Sequence, residues 1–269
     1  MHTISVIIPT YNRAGFIQNS VRSVLNSHND GKDYELKEVI IVDDNSEDDT
    51  ELKVKELIKE SRCEITYHKL NDNKGPGNAR NIGAEMAVGD LIAFQDSDDE
   101  WKPLKLQKQI NLLNEHPEYD LIYTGFTNIF EDGKASDFIP DLSGDIFDKL
   151  CERNCIDAPT MLINKNIFLN AGGFDTDFPA LEDWDLALRI SFEHKIGCVS
   201  ESLITSHILS DGVSSNAQNH FIARSMLIGK NKSLLMKRDM FNTATASLLN
   251  QAKDYGILKE VGALLEKFL

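Results

Sequence analysis

Short apolar runs alternate with amphipathic stretches over the first 125 residues. Residues 4–9 (ISVIIP) are almost continuously β-branched, the pattern of a strand covered on both faces. Between 14 and 27, Phe16, Ile17, Val21, Val24 and Leu25 recur at helical spacing. Residues 38–44 (EVIIVDD) predict a second buried strand ending in two aspartates. Residues 49–60 predict a helix through Leu52, Val54, Leu57 and Ile58. EITYHKL (64–70) alternates like an edge strand, and Pro76 suits the first turn of a helix to about Val88. Strands at 90–96 and 120–126 flank a helix from Pro103 to Glu115. This alternation predicts an α/β domain: a mostly parallel, Rossmann-like sheet with right-handed crossovers and helices on both faces.

After Phe126 the rhythm changes. The spacing predicts a hairpin turn at Asp132-Gly133, a strand at 158–165 and a loop with paired glycines at 171–178. A helix at 183–194 and a strand at 196–209 follow. From about Asn216 the chain reads as helices, broken near Asp239 and at Gly256. Leu248, Leu249, Ala252 and Tyr255 form one apolar stripe, and Val261, Leu264, Leu265 and Phe268 another. The plainer reading packs these stripes on the main domain. The sharper one is a homodimer or peripheral membrane contact.

Charge narrows the partners. With 28 basic and 43 acidic side chains the net charge is −15, which disfavours a nucleic-acid partner. The N-terminus has no basic segment of a signal peptide, and no apolar run approaches the roughly 20 residues of a spanning helix. Cys63, Cys151, Cys155 and Cys198 show no CxxC spacing. The expectation is a reduced, cytoplasmic protein, including a position at the inner face of a membrane.

Open parallel sheets bind ligands beyond the carboxyl ends of their strands. Those ends carry Pro9-Thr10-Tyr11-Asn12-Arg13, then Asp43-Asp44-Asn45-Ser46, then residues 71–81 (NDNKGPGNARN), then Asp96-Ser97-Asp98-Asp99. The last group sits in FQDSDDEW, three carboxylates in four positions, which repel unless a cation lies among them. Four polar ends on one sheet edge suit a nucleotide: side chains for base and ribose, a metal for the diphosphate.

The successive segments VIIPTYNR, IIVDDNSEDDT, GPGNARNIG, FQDSDDEW and LEDWDLALRI resemble the signatures of family 2 glycosyltransferases, which have the GT-A fold. The resemblance covers roughly residues 3 to 210. It implies inverting, hexosyltransferase-type transfer from a nucleotide-diphospho-sugar, most simply a UDP-sugar, in surface-glycan or polysaccharide biosynthesis. The acceptor would be a glycan or a lipid- or protein-linked group. It divides the chain into a GT-A domain, 1–215, and a C-terminal helical extension, 216–269. Within the former, 1–100 is the nucleotide-binding half and 101–215 the acceptor-binding half.

Residue by residue, Asp96 and Asp98 match the family's DxD motif. Asp98 would ligate Mg²⁺ or Mn²⁺, bridging a carboxylate to phosphate oxygens. Asp96 and Ser97 would lie against the ribose or a metal-bound water. Asp44 would accept from the uracil imide, with Asp48 or Asp49 capping the following helix. Pro9, Thr10, Tyr11 and Arg13 would flank the base, Tyr11 by stacking. Arg80 would offer its fork to a phosphate or to Asp44. Asp183 would be the base that takes the acceptor proton. Glu182 and Trp184 would shape the acceptor pocket, although core packing suits Trp184 equally well. His207 lies where family members carry a histidine near the metal, but Thr205 and Ser206 replace the usual aromatic-arginine pair. Two readings compete. A haloacid-dehalogenase-type phosphotransferase also uses DxD, but wants Thr or Val where Glu100 stands. A noncatalytic nucleotide-sugar binding protein would need no base.

Overall fold

The computed structural model describes residues 1–27, 33–208 and 217–269. Strands β1 (His2–Thr10), β2 (Tyr34–Asp43), β3 (Glu64–Lys69) and β4 (Leu91–Phe94) lie in the order β3-β2-β1-β4, all parallel. Helices α1 (Ile17–Leu25), α2 (Thr50–Glu60) and α3 (Pro76–Met86) make the crossovers. The β-branched runs are buried on both faces, as their composition predicts. Ile4, Val6 and Ile8 of β1 enter one apolar cluster with Val39 and Ile41 of β2. Ile7 enters the other with Ile40 and Val42.

Beyond β4 the sheet departs from a continued parallel pattern. β5 (Glu100–Trp101), a two-residue strand, leads into helix α4 (Lys105–Glu115) and the long β6 (Tyr119–Phe130). β7 (Ala135–Phe138) folds back on β6 through a turn in which Gly133 has φ of +79°. Helix α5 (Phe147–Glu152) and a 3₁₀ turn (Ala158–Thr160) precede β8 (Leu162–Asn164). β8 inserts antiparallel between β4 and β6. β9 (Lys195–Ile208) then runs parallel to β6, and β5 closes that edge antiparallel. The physical reason is connectivity. The hairpin and the short α5 replace a full crossover helix, so β8 returns in the opposite sense. Helices α6 (Lys165–Asn170) and α7 (Glu182–Ser191) link β8 to β9.

The C-terminal segment forms α8 (Ala217–Lys230), α9 (Lys232–Lys237), α10 (Phe241–Asp254) and α11 (Leu258–Phe268). Its breaks fall at Asp239 (φ +57°) and Gly256 (φ +72°), conformations that interrupt a right-handed helix. Leu248, Ala252, Val261 and Leu265 are buried in the same cluster as Ile7 and Phe94, which is the plainer reading of the stripes. Tyr255 stays exposed. Among the described residues no helix is long and apolar enough to cross a membrane.

Helix α3 sits tightly on the parallel strands at Gly83. A Cβ there would lie 2.5 Å from Ile7 Cγ2 and 3.3 Å from Val42 Cγ2, both on fully buried side chains. Overpacking of this kind costs about 1–3 kcal/mol, against up to ~1 kcal/mol gained in helix propensity. Gly83→Ala should therefore lower the melting temperature by a few degrees. An unchanged or raised value in a thermal melt contradicts this packing.

Candidate functional site

A cleft of about 1220 Å³ opens at the carboxyl ends of β1, β2 and β4, with β9 and the C-terminal helices on its other walls. All thirteen residues expected at the site line it: Pro9, Thr10, Tyr11, Arg13, Asp44, Arg80, Asp96, Ser97, Asp98, Glu182, Asp183, Trp184 and His207. The loops that carry the first of these are locked together. Asn12 (φ +52°) donates its N–H to Ser46 Oγ at 2.8 Å, and its side-chain oxygen accepts from Glu47 N at 2.9 Å. Asparagine tolerates that left-handed backbone better than most residues. Asp48 does the capping, accepting Thr50 N at 3.0 Å and Ala14 N at 3.0 Å. Asp49 makes no side-chain cap bond.

Asp44 is thereby free of the helix. It is buried, its N–H donates to the Thr10 carbonyl, and its carboxylate accepts Lys74 N at 2.9 Å and Gly75 N at 2.7 Å. Gly75 has φ of +89°, a conformation that glycine adopts at no steric cost. Each oxygen retains a second lone pair for a ligand donor. Tyr11 is 43% exposed at the mouth of the cleft, so its ring face is accessible for stacking.

Of the two partners expected for Arg80, a phosphate or Asp44, the second is not bonded to it. Asp44 is engaged by backbone N–H groups, and the Arg80 fork spans two other carboxylates. It donates to Asp96 Oδ1 at 2.7 Å and to Glu182 Oε1 at 2.9 Å. Its side chain is 6% exposed. Burial opposes its charge, but Asp96 and then Glu182 outweigh that and raise its pKa. Arg80 therefore ties the DxD segment to the start of α7.

Asp98 pairs with Arg13 Nε at 3.0 Å. Burial and the neighbouring Asp96 raise its pKa, and Arg13 opposes them. Asp99 turns toward β9. It accepts His207 N at 3.1 Å and a bond from Ser206, while burial, Asp96 and Asp98 push its pKa up. His207 Nε2 lies 3.6 Å from Glu100 Oε1. Among the described residues no three His, Cys, Asp or Glu side chains form a ready-made cation cage. The donor set is nonetheless all carboxylate oxygen, crowded and partly desolvated. That chemistry fits a hard Mg²⁺ or Mn²⁺ completing its shell with diphosphate oxygens and water.

Opposite lies the start of α7. Leu181, in the left-handed region (φ +63°), turns the chain so that Glu182 and Asp183 face the cleft. Asp183 accepts Trp184 N at 2.7 Å and Ala158 N at 3.2 Å. Asp185, two residues on, turns away to Arg189 and Asn231. Trp184 is 5% exposed, its indole N–H donating to the Leu150 carbonyl at 2.7 Å, so it is wall and core at once.

One carboxylate here has no counterpart in the sequence reading. Asp157, just before the 3₁₀ turn, is pushed up to about 6 by burial and by the charges of Asp96 and Glu182. Asp183 is raised well above the usual range by burial, Asp157 and Glu182, with Arg80 opposing. A carboxyl raised by folding holds its proton where the unfolded chain has lost it. Its charge therefore destabilises the protein progressively as pH rises from about 4 through the folded value. Asp157→Asn should raise the melting temperature more at pH 7.5 than at pH 5. It should also move the acid limb of any Asp183-dependent activity to lower pH. An unmoved limb contradicts the coupling. Arg153, His220, Arg224, Ser247 and Gln251 also escaped the sequence reading. They line the far wall, and only tertiary packing brings α8 and α10 there.

The comparisons with known proteins agree with this geometry. The profile described as "Glycosyl transferase family 2" matches residues 5–170. An uncharacterized glycosyltransferase of Rickettsia bellii is 33% identical over 210 residues, 77% of this chain and 29% of that protein. The putative teichuronic acid biosynthesis glycosyltransferase TuaG of Bacillus subtilis is 34% identical over 164 residues, covering 60% of this chain and 62% of TuaG. The chain thus spans less than two thirds of these relatives. Among solved structures, S. aureus TarS 1-349 in complex with UDP-GlcNAc superposes with a TM-score of 0.71 at 19% identity, over 94% of this chain and 73% of that one. The mannosyltransferase PcManGT from Pyrobaculum calidifontis, in complex with GDP-Man and Mn²⁺, gives 0.68 at 16% identity, over 98% and 74%. At such identities the likeness is one of fold, the GT-A fold.

Proposed function

The chain belongs to glycosyltransferase family 2, and on that premise we propose that it moves a sugar from a UDP-sugar to an acceptor hydroxyl with inversion. The observation that carries this reading is the shared cleft of Asp44, Asp98 and Asp183, with Arg80 joining Asp96 to Glu182 between them. Its volume, about 1220 Å³, exceeds the ~300–1,000 Å³ of an ordinary small-molecule site. That size supports a donor and an acceptor bound side by side. That TarS was solved with UDP-GlcNAc supports a uridine donor, and the GDP-Man of PcManGT keeps guanosine as the alternative.

In this reading Tyr11 stacks on the base and Asp44 accepts from its imide. Asp98, with Asp96 beside it, would hold Mg²⁺ or Mn²⁺. The cation, when bound, offsets negative charge on the departing diphosphate. Asp183 takes the proton of the acceptor hydroxyl. The hydroxyl oxygen then bonds to the anomeric carbon as the bond to the diphosphate oxygen breaks, and no covalent enzyme intermediate forms. TuaG's teichuronic acid description supports a surface-glycan pathway. A phosphotransferase of haloacid dehalogenase type fits less well. The DxD here follows β4, and Glu100 is drawn into β5 against β9.

A thermal-shift screen with UDP, GDP, CDP and dTDP, each with Mn²⁺, tests the donor. The largest stabilisation is expected from UDP. A larger shift with GDP reassigns the donor to a guanosine sugar and removes the imide role of Asp44.

A further inference from the structure

The cations of the cleft are not equally partnered. Asp96, Asp98 and Glu182 are each bonded to Arg80 or Arg13, with Asp157 and Asp183 beside them. The far wall carries Arg224 and Arg153. Arg224 is 8% exposed, and its guanidinium lies 5.1 Å from the Trp184 ring centre, the residue directly after Asp183. Its hydrogen bonds go only to neutral acceptors: Gln251 Oε1 at 2.6 Å, Ser247 Oγ at 2.7 Å and the Glu152 carbonyl at 3.0 Å. Among the described residues no carboxylate pairs with it. Arg189, Arg13 and Arg80, by contrast, all have one. Burial lowers its pKa to about 10 with no acidic neighbour opposing. Arg153, exposed on the same wall, has no side-chain hydrogen bond or ion pair among the described residues. The acid on this wall, Glu152, lies 3.7 Å from Lys149.

A buried cation without a counter-ion is costly. In a chain of net charge −15 there is no shortage of acids to supply one. Neutral partners also leave part of the guanidinium's five-donor fork for a ligand. We propose that the acceptor carries an anionic group, a phosphate or a carboxylate, held by Arg224 and Arg153 while its hydroxyl reaches Asp183. This rests on the glycosyltransferase reading and names the acceptor class for the same cleft. It also gives the C-terminal helices a role, since α8 supplies Arg224 and α10 orients it. The bland alternative is that Arg224 only pins α8 to α10 and the end of α5.

Saturation-transfer NMR on the UDP- and Mn²⁺-loaded protein separates the two. Glycerol 3-phosphate probes phosphate, glucuronate probes carboxylate, and glycerol and glucose are the neutral counterparts. At least one anion should bind about tenfold or more tightly than its neutral counterpart, the scale of charge-assisted bonds. The responding anion identifies the group. Arg224→Gln and Arg153→Gln should each reduce that preference about tenfold, and Arg224→Lys should restore part of it. UDP affinity should stay unchanged in every variant, which shows that the fold and donor end are intact. Arg153 is exposed, so its variant remains informative even if Arg224→Gln unfolds. Neutral probes binding as well as both anions, or a preference that survives both Gln substitutions, overturns the proposal. Failure of the wild type to bind UDP would instead count against the glycosyltransferase reading.

Discussion

Asp183→Asn should lower turnover by about a thousandfold while leaving UDP affinity within a factor of about two, the scale for losing a general base. The amide keeps the shape, and its single oxygen can accept the Trp184 N–H in place of Oδ1 or the Ala158 N–H in place of Oδ2, but not both. It cannot take a proton from a hydroxyl. Removing one charge also relieves the repulsion with Asp157 and Glu182, which offsets the lost N–H bond, so the melting temperature should stay within a few degrees of the parent. Steady-state transfer assays with calorimetric donor titration separate the two effects. A noncatalytic sugar-nucleotide sensor would show no turnover to lose. An enzyme that keeps full rate would remove Asp183 from the chemistry.

Arg80→Gln should cost stability as well as activity. Removing one partner of a buried ionic network costs about 3–5 kcal/mol, because the remaining charges stay unpaired. Asp96 and Glu182 are 30% and 17% exposed, so water recovers part of that, and about 3 kcal/mol is expected. For a chain of this size the melting temperature should fall by roughly 10 °C. The substitution also removes the one cation that lowers the Asp183 pKa. The acid limb of the pH–rate profile should then move up, opposite to the shift expected for Asp157→Asn. A melting point within a degree or two of the parent would mean that Arg80 does not clamp the two carboxylates.

Much of the N-terminal sheet is legible in the sequence. β1 and β2 are buried on both faces, so composition alone marks them, and a parallel sheet places their carboxyl ends on one edge. The placement of Asp44, Asp96, Asp98 and Arg80 at the cleft follows from that edge, whereas the choice of these residues among its polar groups comes from the family resemblance. The breaks at Asp239 and Gly256 are legible because their backbone is left-handed. Other features depend on contacts that sequence spacing does not encode. β5 is two residues long and exists only through its pairing with β9. The direction of β8 is set by how the chain returns from the hairpin. Asp157 is a lone acid in a segment without periodicity, and its unusual environment comes from Asp96 and Glu182, distant in sequence. The pairing of Arg80 with Glu182 rather than Asp44 also requires α7 to be docked.

In the proposed reading, a divalent cation held by Asp98 anchors a uridine diphosphate in this cleft. Calorimetric titration of UDP into the wild type and Asp98→Asn, each with and without Mn²⁺, tests it most directly. Wild-type affinity should rise at least about tenfold with Mn²⁺, and that gain should be largely lost in Asp98→Asn. UDP binding that is indifferent to Mn²⁺, or a Mn²⁺ gain that persists without the Asp98 carboxylate, contradicts the claim.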